Sequence, residues 1–285
     1  MILRGYTFPY IRHFIFMIRD VAGGSAGGRT LCGLLRPGGG GPLTITTATE
    51  WPANGRPRYC LNLGVTKTGL AKLIGKANYQ TVNDDTTGDL FGPFDAGAAQ
   101  RAEEVGDTGP SAPDYWWRNP PGSWKLPTPP SCSDLDLLVS LYARSAADRD
   151  TFSATLLQDV VAKIRAGDGE PALVAAFVQD SDPLPGPPNT IHFGYHDGIS
   201  QPRVAGVPCS DPGSPKDDRP LVPAWHFVIA ENAPLYFAHP LLANGSFGAF
   251  RLLRQDVGAF EKFIHQSGVD PELIAAKMCG RWRDG

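Results

Sequence analysis

The residues best suited to chemistry lie in one segment, 191–202, which reads Ile-His-Phe-Gly-Tyr-His-Asp-Gly-Ile-Ser-Gln-Pro. Its carboxylate, Asp197, lies in a Gly-x-x-Asp-Gly pattern between Gly194 and Gly198. Because glycine has no Cβ, a ligand can approach such a carboxylate closely, and a carboxylate can accept and later donate a proton. Asp-Gly is equally typical of a simple turn. The five-residue pattern alone therefore leaves an acid/base role and a turn both open.

The elements that must position this segment follow from the apolar periodicity. A buried strand at 172–178 leads into it, and an amphipathic helix at 149–166 precedes that strand. A Pro-, Gly- and Asp-rich insertion, mostly irregular, is predicted at 77–133. Further strands are predicted at 13–19, 43–47, 58–65, 135–143, 226–229 and 247–253. Further helices are predicted at 30–35, 68–76, 95–104 and 256–265, with a last helix capped by Asp270-Pro271-Glu272.

Four other segments extend the pattern along the chain. They are RPRYCLNLGVTKTGLAKL ending at Leu73, residues 94–117 (FDAGAAQRAEEVGDTGPSAPDYWW), residues 244–260 (NGSFGAFRLLRQDVGAF) and residues 275–282 (AAKMCGRW). Together with Gly-x-x-Asp-Gly, and in this order, they resemble the dye-decolorizing peroxidases, which are haem enzymes. The resemblance covers most of residues 13–283.

The resemblance implies an α+β fold made of two ferredoxin-like domains, of the dimeric α+β barrel type, with the second incomplete. It implies an N-terminal domain at 1–190 that carries the 77–133 insertion. Residues 191–285 would then hold the distal haem motif and the first part of a truncated C-terminal domain. We expect these boundaries on the resemblance, not on composition.

The resemblance also implies a cofactor and a role for each residue of the motif. Haem b would be the cofactor, and hydrogen peroxide and an organic reductant such as a dye or a phenol would be the substrates. Asp197 would take a proton from peroxide and return it to the departing oxygen. Gly194, Gly198, Ile199 and Ser200 would line the haem face, and Arg251 would face a haem propionate.

The chain departs from the family pattern at its end. Relatives of this type carry the proximal histidine in an A-H-x-R-R/K motif beyond the Gly-Arg-Trp segment, and a distal arginine follows. Here the sequence stops at Arg281-Trp-Arg-Asp-Gly285, and none of the six histidines lies in such a motif. The metal ligand therefore stays unknown. We predict that this polypeptide is weakly active or inactive, and that it is poorly soluble or forms homo-oligomers through exposed sheet edges.

Composition excludes some other classes of protein. The net charge is -3 and no basic block stands out, so nucleic acid is not expected as a partner. The five cysteines are far apart and none forms a Cys-x-x-Cys pair, which argues against a zinc site or a disulfide framework. No apolar run reaches the roughly 18 residues of a membrane span, and no leader is visible. We expect a cytoplasmic protein.

Two alternatives to a peroxidase remain. The first is a haem-free ferredoxin-like binding or structural module, a degenerate relative. The second is another α+β-barrel haem enzyme of the chlorite-dismutase type, against which the Gly-x-x-Asp-Gly string argues. Bound haem would separate the peroxidase from the module, and a preference for peroxide over chlorite would separate the two enzymes.

Overall fold

The structure of the chain is a computed structural model. It describes residues 8–19, 26–47, 51, 55–113, 115, 135–187, 190–196, 203–206 and 220–283. These residues divide into two compact units. The sheet unit comprises the described residues up to Ser181 together with Trp225–Gly248. The loop unit comprises Asp182–Ala224 together with the described residues from Ala249 onward.

The sheet unit is built on four antiparallel strands in the order β2-β3-β1-β4. They are β1 (Tyr10–Ile18), β2 (Tyr59–Val65), β3 (Leu137–Ala143) and β4 (Leu173–Ser181). Helix α1 (Ala26–Leu35) connects β1 to β2, and α2 (Lys67–Ile74), α3 (Lys76–Asp85) and α4 (Gly92–Gln100) lie between β2 and β3. Helix α5 (Ala146–Ala154) follows β3. The sheet therefore consists of two interleaved strand-helix-strand units.

The core of this unit lies between the sheet and its helices. Phe14 on the central strand β1 is opposite Val139 on one side and Val178 on the other. Burial of such apolar side chains contributes about 25 cal/mol per Å² to folding. The fully or nearly fully buried members are Phe14, Phe16, Ile18, Leu31, Leu35, Leu43, Leu61, Leu73, Leu137, Val139, Leu141, Leu156, Val160, Ile164, Ala172 and Leu173.

Helix α2 approaches the start of β3 very closely. A Cβ atom placed on Gly69 would lie 2.1 Å from the carbonyl oxygen of Asp136. The Asp136 carboxylate is completely buried, accepts a hydrogen bond from the Ile18 backbone N–H (2.6 Å) and pairs with Lys72 Nζ (2.8 Å). The Asp136 carboxylate, just before β3, thereby joins Lys72 on α2 to Ile18 at the end of β1.

Several predicted elements are confirmed. The four strands of the sheet overlap the predicted strands, and α1, α2 and α4 overlap the predicted helices. The helix predicted at 149–166 begins earlier, at Ala146, because the Ser145 hydroxyl accepts a hydrogen bond from the Asp148 N–H (3.0 Å). Beyond α5 it continues as a π-helical turn, Thr155–Val160, and a 3₁₀ turn, Val161–Lys163.

Three predicted strands are wrong. Residues 43–47 contact β2, but the Leu61 N–H donates to the Thr46 hydroxyl (2.9 Å) instead of to a backbone carbonyl, so no ladder forms. At 226–229 the chain instead leaves a 3₁₀ turn, Ala224–His226. Residues 247–253 pair with no strand in the described structure, and a strand without a partner leaves its backbone groups unbonded. The insertion at 77–133 is also more helical than predicted, since it contains α3 and α4.

The remaining strands are two residues long. In the loop unit, β5 (Arg203–Val204) pairs in parallel with β6 (Leu221–Val222). In the sheet unit, β7 (Asn232–Ala233) and β8 (Tyr236–Phe237) form an antiparallel pair.

The loop unit contains two helices with strong N-caps. Helix α6 (Val257–Gln266) begins after Asp256, whose side chain accepts a hydrogen bond from the Ala259 N–H (2.9 Å). Helix α7 (Pro271–Cys279) begins after Asp270, which caps it in the same way, and ends at Gly280 with φ +81°. The helix and cap predicted at Asp270-Pro271 are confirmed.

Candidate active site

The predicted site residues fall partly inside the described structure. Asp197, Gly198, Ile199 and Ser200 lie outside the described residues. Gly194 and Arg251 are described and belong to the loop unit. The loop that leads into Asp197 is therefore the described part of the candidate site.

Residues 190–196 form a tight loop that closes on itself. Thr190 and His196 form an antiparallel bridge, the Ile191 N–H donates to the Tyr195 carbonyl (2.9 Å), and the Gly194 N–H donates to the Ile191 carbonyl (3.1 Å). The loop turns through two consecutive left-handed residues, Phe193 (φ +70°) and Gly194 (φ +81°). A phenylalanine rarely adopts this conformation. The surrounding contacts must therefore hold the loop in place.

The Tyr195 side chain is buried, with 3% of its surface exposed. The guanidinium groups of Arg281 and Arg283 each lie 5.9 Å from the centre of its ring, within the range of cation–π contacts. Burial raises the pKa of Tyr195 to about 12; the neighbouring Cys279 thiol adds to the rise and Arg283 opposes it. Tyr195 therefore stays neutral over the physiological range and acts as an apolar anchor.

The same two arginines hold the backbone of His196. The His196 N–H donates to the Arg283 carbonyl (3.1 Å), and Arg281 Nη2 donates to the His196 carbonyl (2.5 Å). The residue that immediately precedes Asp197 is thus bound on both sides. We call Arg281, Arg283 and Tyr195 the arginine clamp.

Arg283 is itself held by the two helices of the loop unit. Its Nη2 lies 3.1 Å from Glu261 Oε1 on α6, and its Nε lies 3.5 Å from Glu272 Oε2 on α7. Phe193, at the tip of the loop, packs its ring 4.6 Å from that of Phe260 on α6. The loop before Asp197 is therefore attached to α6 and α7 by an ionic and an aromatic contact.

Reasoning from sequence did not identify the arginine clamp. Arg281 and Arg283 lie in and beside the Ala-Ala-Lys-Met-Cys-Gly-Arg-Trp segment that supported the family resemblance, which was the available signal. The hydrogen bond from Arg281 joins residues 85 positions apart. No local spacing predicts such a contact.

Arg251 lies in an exposed, irregular stretch and not on the predicted strand. The structure assigns it no role toward a cofactor. Its proposed contact with a haem propionate stays a prediction.

The described residues do not form a complete haem site. They contain no group of three or more His, Cys, Asp or Glu side chains that could hold a metal ion. In the loop unit, His192, His196 and His265 are exposed, whereas an axial ligand of haem iron is held within the haem pocket. A groove of about 410 Å³ beside α7 offers no imidazole, being lined by Leu273, Ala276, Lys277, Gly280, Arg281 and Trp282. We therefore assign no described residue as iron ligand.

The three described cysteines, Cys32, Cys60 and Cys279, form no disulfide with one another. Among the described residues, no helix is both long enough and apolar enough to cross a membrane.

Comparison with known proteins shows what the chain is similar to. No family model matches the chain. A stretch of it is 36% identical over 104 residues to the dye-decolorizing peroxidase of Mycena epipterygia and 34% identical over 100 residues to peroxidase 2 of Mycetinis scorodonius. Each match covers 33% of this chain and 19% of the relative.

Solved structures extend the similarity to nearly the whole chain. A dye-decolorizing peroxidase in complex with 2,6-dimethoxyphenol superposes with a TM-score of 0.69, and the enzyme of Auricularia auricula-judae with 0.67. Both are 21% identical and cover 99% of this chain, which spans 57% and 55% of theirs. The α+β fold with an antiparallel sheet is therefore shared with these proteins. The resemblance predicted from the motifs is confirmed: the chain is a relative of the dye-decolorizing peroxidases and spans little more than half the length of their solved structures.

Proposed function

We propose that this chain carries the distal, proton-handling part of a haem peroxidase of the dye-decolorizing type. The observation that carries the proposal is the Gly194-x-x-Asp197-Gly198 string in a chain whose relatives are named peroxidases and whose fold follows theirs over 99% of its length. Hydrogen peroxide would be the oxidant and a dye or a phenol the reductant.

Asp197 is proposed as the single acid/base group. As a carboxylate it can accept a proton from one oxygen of hydrogen peroxide, and as a carboxylic acid it can return that proton to the other oxygen. A group held by a rigid segment does this better than a mobile one, because reacting atoms must already be in place. The closed loop at 190–196 supports the assignment, since it fixes the backbone just before Asp197.

Haem b is proposed as the cofactor on the family relationship alone. Gly194, Gly198, Ile199, Ser200 and Arg251 are proposed to contact it. No residue is assigned as iron ligand.

The finer domain description is also a proposal. The interleaved strand order β2-β3-β1-β4 supports a ferredoxin-like N-terminal domain at 1–190. Residues 191–285 are proposed to begin a second such domain. A cytoplasmic location and a homo-oligomeric state also stay proposals.

A second candidate function is a haem-free binding or structural module. The observation that favours it is that none of the six histidines of the given sequence lies in the family's proximal-histidine motif. It predicts that the chain neither binds haemin nor reacts with peroxide.

The test is a titration of the purified chain with haemin, followed by peroxide and a chromogenic dye. The same titration is made on a fusion protein, in which the rest of the Mycena epipterygia sequence is joined to this chain. We expect weak haemin binding by the chain, and a saturable Soret band with dye oxidation by the fusion.

Asp197→Asn is the matched variant, because it keeps the size of the side chain and removes its acid/base capacity. We expect it to lower turnover of peroxide by about 100-fold or more with haemin binding retained. Full activity of Asp197→Asn would contradict the assignment. A fusion without haemin binding would favour the haem-free module.

A further inference from the structure

We propose that Arg281 and Arg283 are positioning residues that hold the 190–196 loop, whose last residue immediately precedes Asp197 in the sequence. The inference rests on the proposed function of Asp197 and deepens it. It assigns to two arginines, outside the Gly-x-x-Asp-Gly string, the task of orienting the peptide that enters that string.

The decisive contact is made by Arg281. The His196 carbonyl, which accepts the hydrogen bond from Arg281 Nη2 at 2.5 Å, belongs to the peptide unit that joins His196 to Asp197. A peptide unit is planar, so a donor bound to this carbonyl restrains the peptide plane at the end of the described loop. A charged donor makes such a bond stronger than a neutral one.

Arg283 holds the other side of the same residue. Its carbonyl accepts the His196 N–H at 3.1 Å, while its guanidinium pairs with Glu261 (3.1 Å) and Glu272 (3.5 Å). Anchored on α6 and α7, Arg283 gives the loop a fixed reference point. The Arg283 side chain is 26% exposed, so its pairing with Glu261 is screened less than a surface ion pair.

Tyr195 is the third member of the clamp. Its buried ring lies 5.9 Å from each guanidinium, within the range of cation–π contacts. Gly194 lies beside Arg283, since a Cβ there would be in ordinary van der Waals contact, 3.4 Å from Arg283 Nη1. The two arginines therefore contact the loop both at the His196 backbone and at the Tyr195 ring.

The first test does not depend on activity. Hydrogen–deuterium exchange is followed for amides 190–197 in the whole chain, in Arg281→Ala and in Arg254→Ala, an exposed arginine of the same unit. We expect exchange to rise about tenfold in Arg281→Ala and to stay unchanged in Arg254→Ala. Unchanged exchange in Arg281→Ala would overturn the clamp.

The second test measures turnover in the fusion that oxidises dye. Arg281→Ala is expected to lower kcat about 10- to 100-fold with the KM for the dye unchanged, and Arg281→Lys to recover part of kcat because it keeps a charged donor. A purely structural role would instead lower the melting temperature without a selective loss of kcat. Wild-type kcat in Arg281→Ala would overturn the positioning role.

Glu261→Gln keeps the proposal testable if Arg281→Ala fails to fold. It weakens the anchor of Arg283 without removing either arginine, and we expect a smaller rise in exchange at 190–197 and a smaller loss of kcat. A fusion whose turnover does not depend on Asp197 would refute the proposed function, and with it the positioning of a catalytic carboxylate. Hydrogen–deuterium exchange at residues 190–196 would then still show whether the two arginines hold the loop.

Discussion

Gly194 and Arg283 lie directly against each other in the loop unit. Gly194 has φ +81°, and a Cβ atom added to it would lie 3.4 Å from Nη1 and 3.6 Å from Cδ of Arg283. Gly194 thus has a left-handed backbone, and the space beside Arg283 would admit a Cβ at van der Waals distance. The first glycine of the Gly-x-x-Asp-Gly string therefore has a conformational role that can be tested apart from any cofactor.

We predict that Gly194→Ala and Gly268→Ala destabilise the chain by similar amounts. Both glycines have a left-handed backbone (φ +81° and +72°). A Cβ on Gly268 would meet no atom within 4 Å, and a Cβ on Gly194 would meet only the Arg283 side chain at van der Waals distance. The expected loss in each variant is the backbone cost, about 1–2 kcal/mol, and urea denaturation measures it. A clearly larger loss in Gly194→Ala would show that the Arg283 side chain does not yield to a Cβ.

A second prediction concerns alkaline pH. The pKa of Tyr195 is raised from 10.0 to about 12, so between these values the unfolded chain ionises this phenol and the folded chain does not. The contribution is fully present below pH 10 and is lost as the pH rises to about 12.

Tyr195→Phe lacks this ionisation and is the control. We expect the wild-type protein to lose more stability than Tyr195→Phe between pH 10 and 12, measured by urea denaturation at each pH. Parallel stability profiles would mean that Tyr195 titrates normally.

A third prediction concerns the buried charge of the sheet unit. Lys72→Met leaves the Asp136 carboxylate, 0% exposed, without its cation. We expect a loss of about 3–5 kcal/mol, because an uncompensated buried charge is costly. Lys76→Met, an exposed lysine at the start of α3, is expected to change stability by less than about 0.5 kcal/mol.

The double variant Lys72→Met/Asp136→Leu separates charge from hydrogen bonding. It removes both charges but leaves the Ile18 N–H without the carboxylate that accepts from it. We expect partial recovery relative to Lys72→Met, as measured by chemical denaturation. A double variant less stable than Lys72→Met alone would show that the hydrogen bond outweighs the charge.

A fourth prediction tests the approach of α2 to β3. A Cβ on Gly69 would lie 2.1 Å from the Asp136 carbonyl oxygen, a backbone atom that cannot rotate away. Gly69→Ala must therefore push α2 off the sheet, and we expect a loss of about 2–3 kcal/mol. Gly64→Ala is the control, because its nearest neighbour, the Leu138 Cβ, is 3.6 Å away. Thermal denaturation of the two variants tests this prediction, and we expect the lower melting temperature in Gly69→Ala.

The sequence by itself determined the elements whose signals are local. β1 and β2 show apolar periodicity, and the caps at Asp256 and Asp270 mark the starts of α6 and α7. Such signals depend on residues that are close in sequence, so they do not depend on how the rest of the chain folds. The ordered motifs also predicted the resemblance to dye-decolorizing peroxidases, which the comparisons confirm.

Only the tertiary structure decided which residues meet. Apolar residues at 247–253 suit a strand, but a strand exists only where a neighbour supplies the other half of its ladder, and the described structure supplies none. The contact of Arg281 with His196 crosses 85 residues, and it depends on how α6, α7 and the 190–196 loop pack together. Neither composition nor periodicity predicts a contact between residues so far apart in the sequence. The residue types of the candidate site were therefore readable in the sequence, whereas the clamp that holds the approach to Asp197 was decided by packing.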